Sequence, residues 1–136
     1  MAEVVIDASI LSALFLNEEG AEAIREAVQS EILFYAPSFW RFEVSNAVWK
    51  RKEIPLPSAK RLIEIIWDFP IRTEESAELA SEGLSLARKH GITFYDSFYI
   101  AMTKRMAIPL WTADRMQARS AVQEGISLWK ESFRLK

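Results

Sequence analysis

Four short apolar runs punctuate the chain: Val4-Val5-Ile6, Ile32-Leu33-Phe34-Tyr35, Ile108-Pro109-Leu110-Trp111 and Ile126-Ser127-Leu128-Trp129. They are too short for helices and lack the polar alternation of half-exposed strands. They therefore predict strands buried on both faces, and with them a parallel sheet. Between them lie segments with helical spacing, near 9–16, 20–30, 38–52, 57–68, 74–89, 95–106 and 114–122. In 38–52, for example, Phe39, Phe42, Ala47 and Trp49 share the segment with Arg41, Glu43 and Lys50. Pro57-Ser58 signals one helix start and Thr73-x-x-Ser76, with Glu74 and Glu75, the next, while Gly91 after Arg88-Lys89-His90 signals a stop. A fifth strand is expected at Pro70-Ile71-Arg72. Strands alternating with helices predict one domain over residues 1–136. The expected fold class is α/β, a three-layer α/β/α sandwich with a mostly parallel, roughly five-stranded sheet and right-handed crossovers.

In such a sheet ligands bind beyond the carboxyl ends of the strands, so acids placed there carry most weight. Asp7 ends the first run, and Asp114 follows Trp111 across Thr112-Ala113, which puts two acids on one rim. Glu43 lies in the helix after the 32–35 strand, and Asp96 opens an aromatic-rich helix, so both can reach that rim. Local structure offers competing explanations. Asp96 fits the third position of a capping box begun by Thr93, and Asp114 fits the cap of the helix starting Arg115-Met116-Gln117. Asp7 and Glu43 sit among apolar neighbours, where a carboxylate is costly unless paired or metal-bound; Arg41 or Arg115 would be the pairing partners. A carboxylate cluster without histidine or cysteine suits a hard divalent cation, since Mg²⁺ and Mn²⁺ take oxygen ligands and keep several waters.

Composition narrows the chemistry. The chain of 136 residues is half hydrophobic and about a quarter charged, as ordinary globular domains are. It has no cysteine, which excludes disulfides, thiolate metal sites and a cysteine nucleophile, and makes a cytoplasmic location the expectation. The start, Met1-Ala2-Glu3, reads as neither signal peptide nor anchor, and no apolar run approaches the ~20 residues that span a bilayer, so no membrane association is expected. A net charge of −2 gives no global attraction to nucleic acid. The basic clusters Lys50-Arg51-Lys52, Lys60-Arg61, Arg88-Lys89 and Lys104-Arg105 read as helix-end or solvated charge. With His90 alone, a two-histidine route to RNA cleavage is closed, and His90 itself reads as a capping or surface residue.

The ordered set Val5-Ile6-Asp7-Ala8-Ser9, Phe42-Glu43-Val44-Ser45-Asn46-Ala47-Val48, Tyr95-Asp96-Ser97-Phe98-Tyr99-Ile100-Ala101 and Leu110-Trp111-Thr112-Ala113-Asp114 resembles the PIN domain. Within that superfamily it is similar to the VapC-type toxins of prokaryotic toxin-antitoxin pairs, over nearly the whole chain. The resemblance implies a Mg²⁺- or Mn²⁺-dependent endoribonuclease with RNA as substrate, a five-stranded parallel sheet, an antitoxin partner and a homodimer. It makes Asp7 and Asp96 the principal metal ligands, with Glu43 and Asp114 completing the acidic site. Ser9 and Thr112 match hydroxyl positions that orient acids or waters, and Asn46 lies one turn after Glu43 as a supporting residue. Trp40, Trp49, Phe39 and Phe69 are candidates for a dimer or antitoxin surface, against the commoner reading of aromatic core.

Rival readings fit less well. A phosphatase resembling haloacid dehalogenases wants a second acid two residues after the first, where this chain has Ser9. Receiver-like domains want a paired acid near the first strand and a lysine after a late one. A Walker loop is absent from the four glycines. An RNA-processing PIN nuclease, or a PIN module that binds RNA or protein without cutting, remains the alternative to a toxin.

Overall fold

The computed structural model describes residues 1–129. Among them are three strands, β1 (Ala2–Ile6), β2 (Ile32–Tyr35) and β3 (Leu110–Trp111), and seven helices: α1 (Ala8–Phe15), α2 (Ala21–Val28), α3 (Trp40–Lys50), α4 (Leu56–Asp68), α5 (Ala77–His90), α6 (Phe94–Met106) and α7 (Arg115–Gln123). The sheet is parallel in the order β2-β1-β3, with Val4 opposite Phe34 and Ile6 opposite Trp111.

The α/β class holds, but among the described residues the expected five strands shrink to three with a bridging residue on each side. Arg72 pairs with β2, its N–H donating to Phe34 O and its carbonyl accepting from Ala36 N–H, both at 2.9 Å. Leu128 pairs with Leu110 on the other side. Prolines explain much of the shortening, because neither Pro70 nor Pro109 has an N–H to give the ladder. Pro70 stands two residues before Arg72. Pro109 accepts from Val5 N–H at 3.0 Å but cannot donate back toward Glu3, so β3 begins at Leu110 rather than Ile108.

The helices start and stop close to where the pattern puts them. Pro57 lies in the first turn of α4, and Gly91 closes α5 at φ 65°. One start moves: Ser76, not Thr73, caps α5, by accepting from Leu79 N–H at 3.1 Å. α6 ends on Ala107 in the left-handed region (φ 55°), which costs a residue with a Cβ about 1–2 kcal/mol.

Val4, Val5, Ile6, Leu110 and Trp111 are fully buried in one core that also takes Leu11, Trp40, Ile66, Tyr99, Ile100 and Met102 from the surrounding helices. Each such aliphatic side chain contributes on the order of 1.5–3 kcal/mol by leaving water. That burial fixes the central strands, and with them the positions of the residues just past their carboxyl ends. No helix among the described residues is long and apolar enough to cross a membrane.

Candidate active site

The rim is built where β1 and β3 end side by side. Asp7 N–H donates to Trp111 O at 2.9 Å, so the first residue past β1 lies against the last of β3. The Asp7 carboxylate is only 5% exposed and caps α1. Its Oδ2 accepts from Ser9 N–H (3.2 Å), Ser9 Oγ (2.6 Å) and Thr112 Oγ1 (3.2 Å). Ser9 Oγ in turn accepts from Ala113 N–H at 3.0 Å, stitching the loop after β3 to the start of α1.

Thr112 continues the network. Its hydroxyl oxygen accepts from Asp114 N–H (2.9 Å) and also lies 2.8 Å from Gln117 Oε1. Asp114 caps α7, with Oδ1 accepting from Gln117 N–H at 3.0 Å. On α6 it is Thr93 that caps, accepting from Asp96 N–H at 3.1 Å. The cap foreseen for Asp114 is therefore present in the structure, whereas at α6 the capping group is the Thr93 hydroxyl and Asp96 takes part through its backbone N–H.

Glu43 is half-buried on α3 and accepts from the Tyr99 hydroxyl through Oε1 at 2.8 Å. Its carboxyl is raised from the ordinary 4.5 to about 7, first by loss of water and then by the charges of Asp7 and Asp96, against the Tyr99 hydrogen bond. Asp96 is raised to about 6 by burial and by the charges of Asp7 and Asp114, while the Thr93 hydroxyl lowers it. Burial likewise raises Asp7, against its Ser9 and Thr112 hydrogen bonds, with Asp114 adding a smaller upward push. Asp7, Glu43 and Asp96 thus each feel the charge of another acid of the rim. Among the described residues no three acids or histidines already converge on one point as ligands of an ion.

Several cationic side chains of the described residues are committed elsewhere. Arg41 donates to Trp67 O and Phe69 O, both at 3.2 Å, and covers the Trp40 ring, so it pairs with neither Asp7 nor Glu43. Other ion pairs join Arg51 to Glu18 and Glu53, and Arg105 to Glu78. His90 is part of a structural cluster, its ring nitrogens lying 3.0 Å from Gln123 Oε1 and 2.6 Å from Glu124 Oε2. Asn46 is exposed on α3. Of the four aromatic surface candidates, Trp40 is fully buried, Phe39 and Phe69 pack against the core, and Trp49 is 63% exposed.

Two residues at the site escaped the sequence reading. Tyr99 was legible as the residue one turn after Asp96, on the same face of α6, but its aromatic neighbours disguised it as core. Gln117 sits at the third position of α7, where a capping box places a glutamine; its side chain turns inward instead.

Comparison with known proteins follows the same geometry. A sequence model described as the PIN domain matches residues 4–123. Ribonuclease VapC3 of Pyrobaculum aerophilum is 31% identical over 121 residues, covering 85% of this chain and 92% of that protein. The crystal structure of PAE2754 from Pyrobaculum aerophilum superposes with a TM-score of 0.65 at 25% identity, covering 88% of this chain and 86% of that one. The structure of Mycobacterium tuberculosis VapC20, a sarcin-ricin loop cleaving toxin, gives 0.68 at 16% identity, covering 86% and 94%.

Proposed function

The chain belongs to the PIN domain family, and from that premise we propose that it is a Mg²⁺- or Mn²⁺-dependent endoribonuclease acting at the Asp7, Glu43, Asp96 and Asp114 rim. One observation carries the reading: carboxylates whose proton affinity is raised first by burial and then by one another's charge are kept together at a strand edge. Such a cluster is unfavourable by itself and becomes favourable around a cation. The donor set fits the group, being all oxygen, with hydroxyls of Ser9 and Thr112 orienting Asp7. When bound, the cation neutralises the phosphodiester and polarises the attacking water.

The chain's own part is orientation. Ser9 and Thr112 hold Asp7 Oδ2, the α7 cap holds Asp114, and Tyr99 holds Glu43 Oε1, so the acids meet the substrate already in place. Asp7 and Asp96 are the principal ligands in this account, and Glu43 and Asp114 complete the site. Asn46, exposed on α3, has at most an outer role.

The same proposal makes the protein the toxin of a toxin-antitoxin pair, with RNA as substrate, a homodimer as the working form and an antitoxin as partner. Similarity to a protein named ribonuclease VapC3 supports this. Cleavage of a structured RNA with Mg²⁺ or Mn²⁺ tests the activity: wild type should cut and EDTA should stop it, whereas equal cleavage by wild type, Asp7→Asn and Asp96→Asn would sink the mechanism. Growth arrest on expression, relieved by the product of the neighbouring reading frame, tests the toxin role.

A further inference from the structure

Gln117 is fully buried although it carries a polar amide, and both halves of that amide are used. Nε2 donates to the backbone carbonyl of Asp96 at 3.1 Å, and Oε1 accepts from the Thr112 hydroxyl at 2.8 Å. Its backbone N–H donates to Asp114 Oδ1 at 3.0 Å. One residue thus touches the segment carrying Asp96, the hydroxyl that also reaches Asp7, and the carboxylate of Asp114.

The amide has a single workable orientation. The Asp96 carbonyl can only accept, so Nε2 must face it, and Oε1 is left toward Thr112. The Thr112 hydroxyl has one hydrogen and two acceptors near it, Gln117 Oε1 at 2.8 Å and Asp7 Oδ2 at 3.2 Å. That hydroxyl therefore ties the Gln117 amide to the Asp7 carboxylate through one shared hydrogen. Removing the amide would leave the Thr112 hydroxyl without that anchor and detach the start of α6 from α7.

We propose that Gln117 is a positioning residue that sets Asp7, Asp96 and Asp114 in one arrangement for the cation. This rests on the metal-site reading above. A leucine or methionine would fill the space equally well, so an apolar core position would not need the amide. Outer-shell partners of ligating side chains typically govern about 10–100-fold of metal affinity or activity.

The test is Mn²⁺ binding by the full chain, followed by electron paramagnetic resonance, with cleavage kinetics alongside. Gln117→Met, similar in length but without hydrogen-bonding groups, is expected to weaken Mn²⁺ binding about tenfold or more. It should lower kcat with little change in the KM for RNA. A Gln117→Met and Thr112→Val double-mutant cycle should be non-additive, because each change breaks the same contact. Should Gln117→Met fail to fold, Gln117→Asn is read instead: polar but one methylene shorter, it cannot span both partners and should also weaken Mn²⁺ binding. Affinity within twofold of wild type in a folded Gln117 variant, while Asp7→Asn loses the ion, would reduce Gln117 to packing. If Asp7→Asn and Asp96→Asn also bind Mn²⁺ as wild type does, the metal-site reading itself fails, and the two failures are told apart.

Discussion

Helices α6 and α7 begin at a carboxylate cluster and end near one carboxylate ringed by cations, and the two ends treat a carboxylate in opposite ways. At the far end Glu124 accepts from Lys89 (2.8 Å), His90 (2.6 Å) and Lys104 (2.9 Å), which hold its carboxyl down at about 2. At the near end Glu43 rises to about 7, first through loss of water on burial and then through the charges of Asp7 and Asp96, with one tyrosine hydroxyl opposing them. Two glutamates of one chain are separated by a wide margin in proton affinity, and environment alone makes the difference. A carboxylate that serves the fold is surrounded by donors. One surrounded by its own kind is a candidate for a task the fold does not supply, here the holding of a cation.

The largest expected effect of breaking this contrast is on catalysis. Asp7→Asn or Asp96→Asn should reduce RNA cleavage by at least about 100-fold, since each removes a ligand charge from the site. Glu124→Gln should instead leave cleavage within a few-fold and cost about 1–3 kcal/mol of stability, because it strands the cations that now share the carboxylate. Chemical denaturation read beside a cleavage assay separates the two outcomes. A variant of Glu124 that kills cleavage while remaining folded would erase the distinction.

pH sharpens the contrast further, and the signs are opposite. Glu43 has a folded value near 7 against 4.5 for an ordinary glutamate, so the folded state binds more protons between those values. The metal-free protein should therefore lose stability as pH rises from about 4.5 to 7, and Glu43→Gln should flatten that loss. Glu124, at about 2, makes its contribution above 4.5 and loses it as pH falls toward 2; Glu124→Gln should flatten that limb. Adding Mg²⁺ should oppose the first loss and leave the second unchanged.

Smaller effects are expected at the margins. Tyr99→Phe removes the hydroxyl that lowers the Glu43 carboxyl, so it should raise the pH needed for full cleavage and reduce the rate a few-fold at pH 6. Asn46→Ala, on the exposed side of α3, should change cleavage less than twofold. A tenfold loss there would bring Asn46 back into the site.

Much of this contrast was legible in the sequence, and the rest failed for identifiable reasons. Asp7 and Asp114 could be placed on one rim because apolar runs mark where strands end. Glu43 and Asp96 followed from helix spacing. The capping readings were in the end compatible with the site, since a cap fixes a carboxylate without neutralising it. The strand expected at 70–72 and the start of β3 were overread because an apolar run says nothing about a missing donor, and Pro70 and Pro109 each remove one. Gln117 and Tyr99 stayed hidden because their importance lies in partners 21 and 56 residues away in the chain. His90 was read as a surface or capping residue, and its place between Gln123 and Glu124 depends on the packing of α5 against α7.

The central claim is tested most directly by anomalous diffraction from crystals of the protein grown with Mn²⁺. The account predicts a peak at the rim, about 2.1 Å from carboxylate oxygens of both Asp7 and Asp96, and none at Glu124. A peak absent from the rim at saturating Mn²⁺, or found only at other carboxylates, would contradict it.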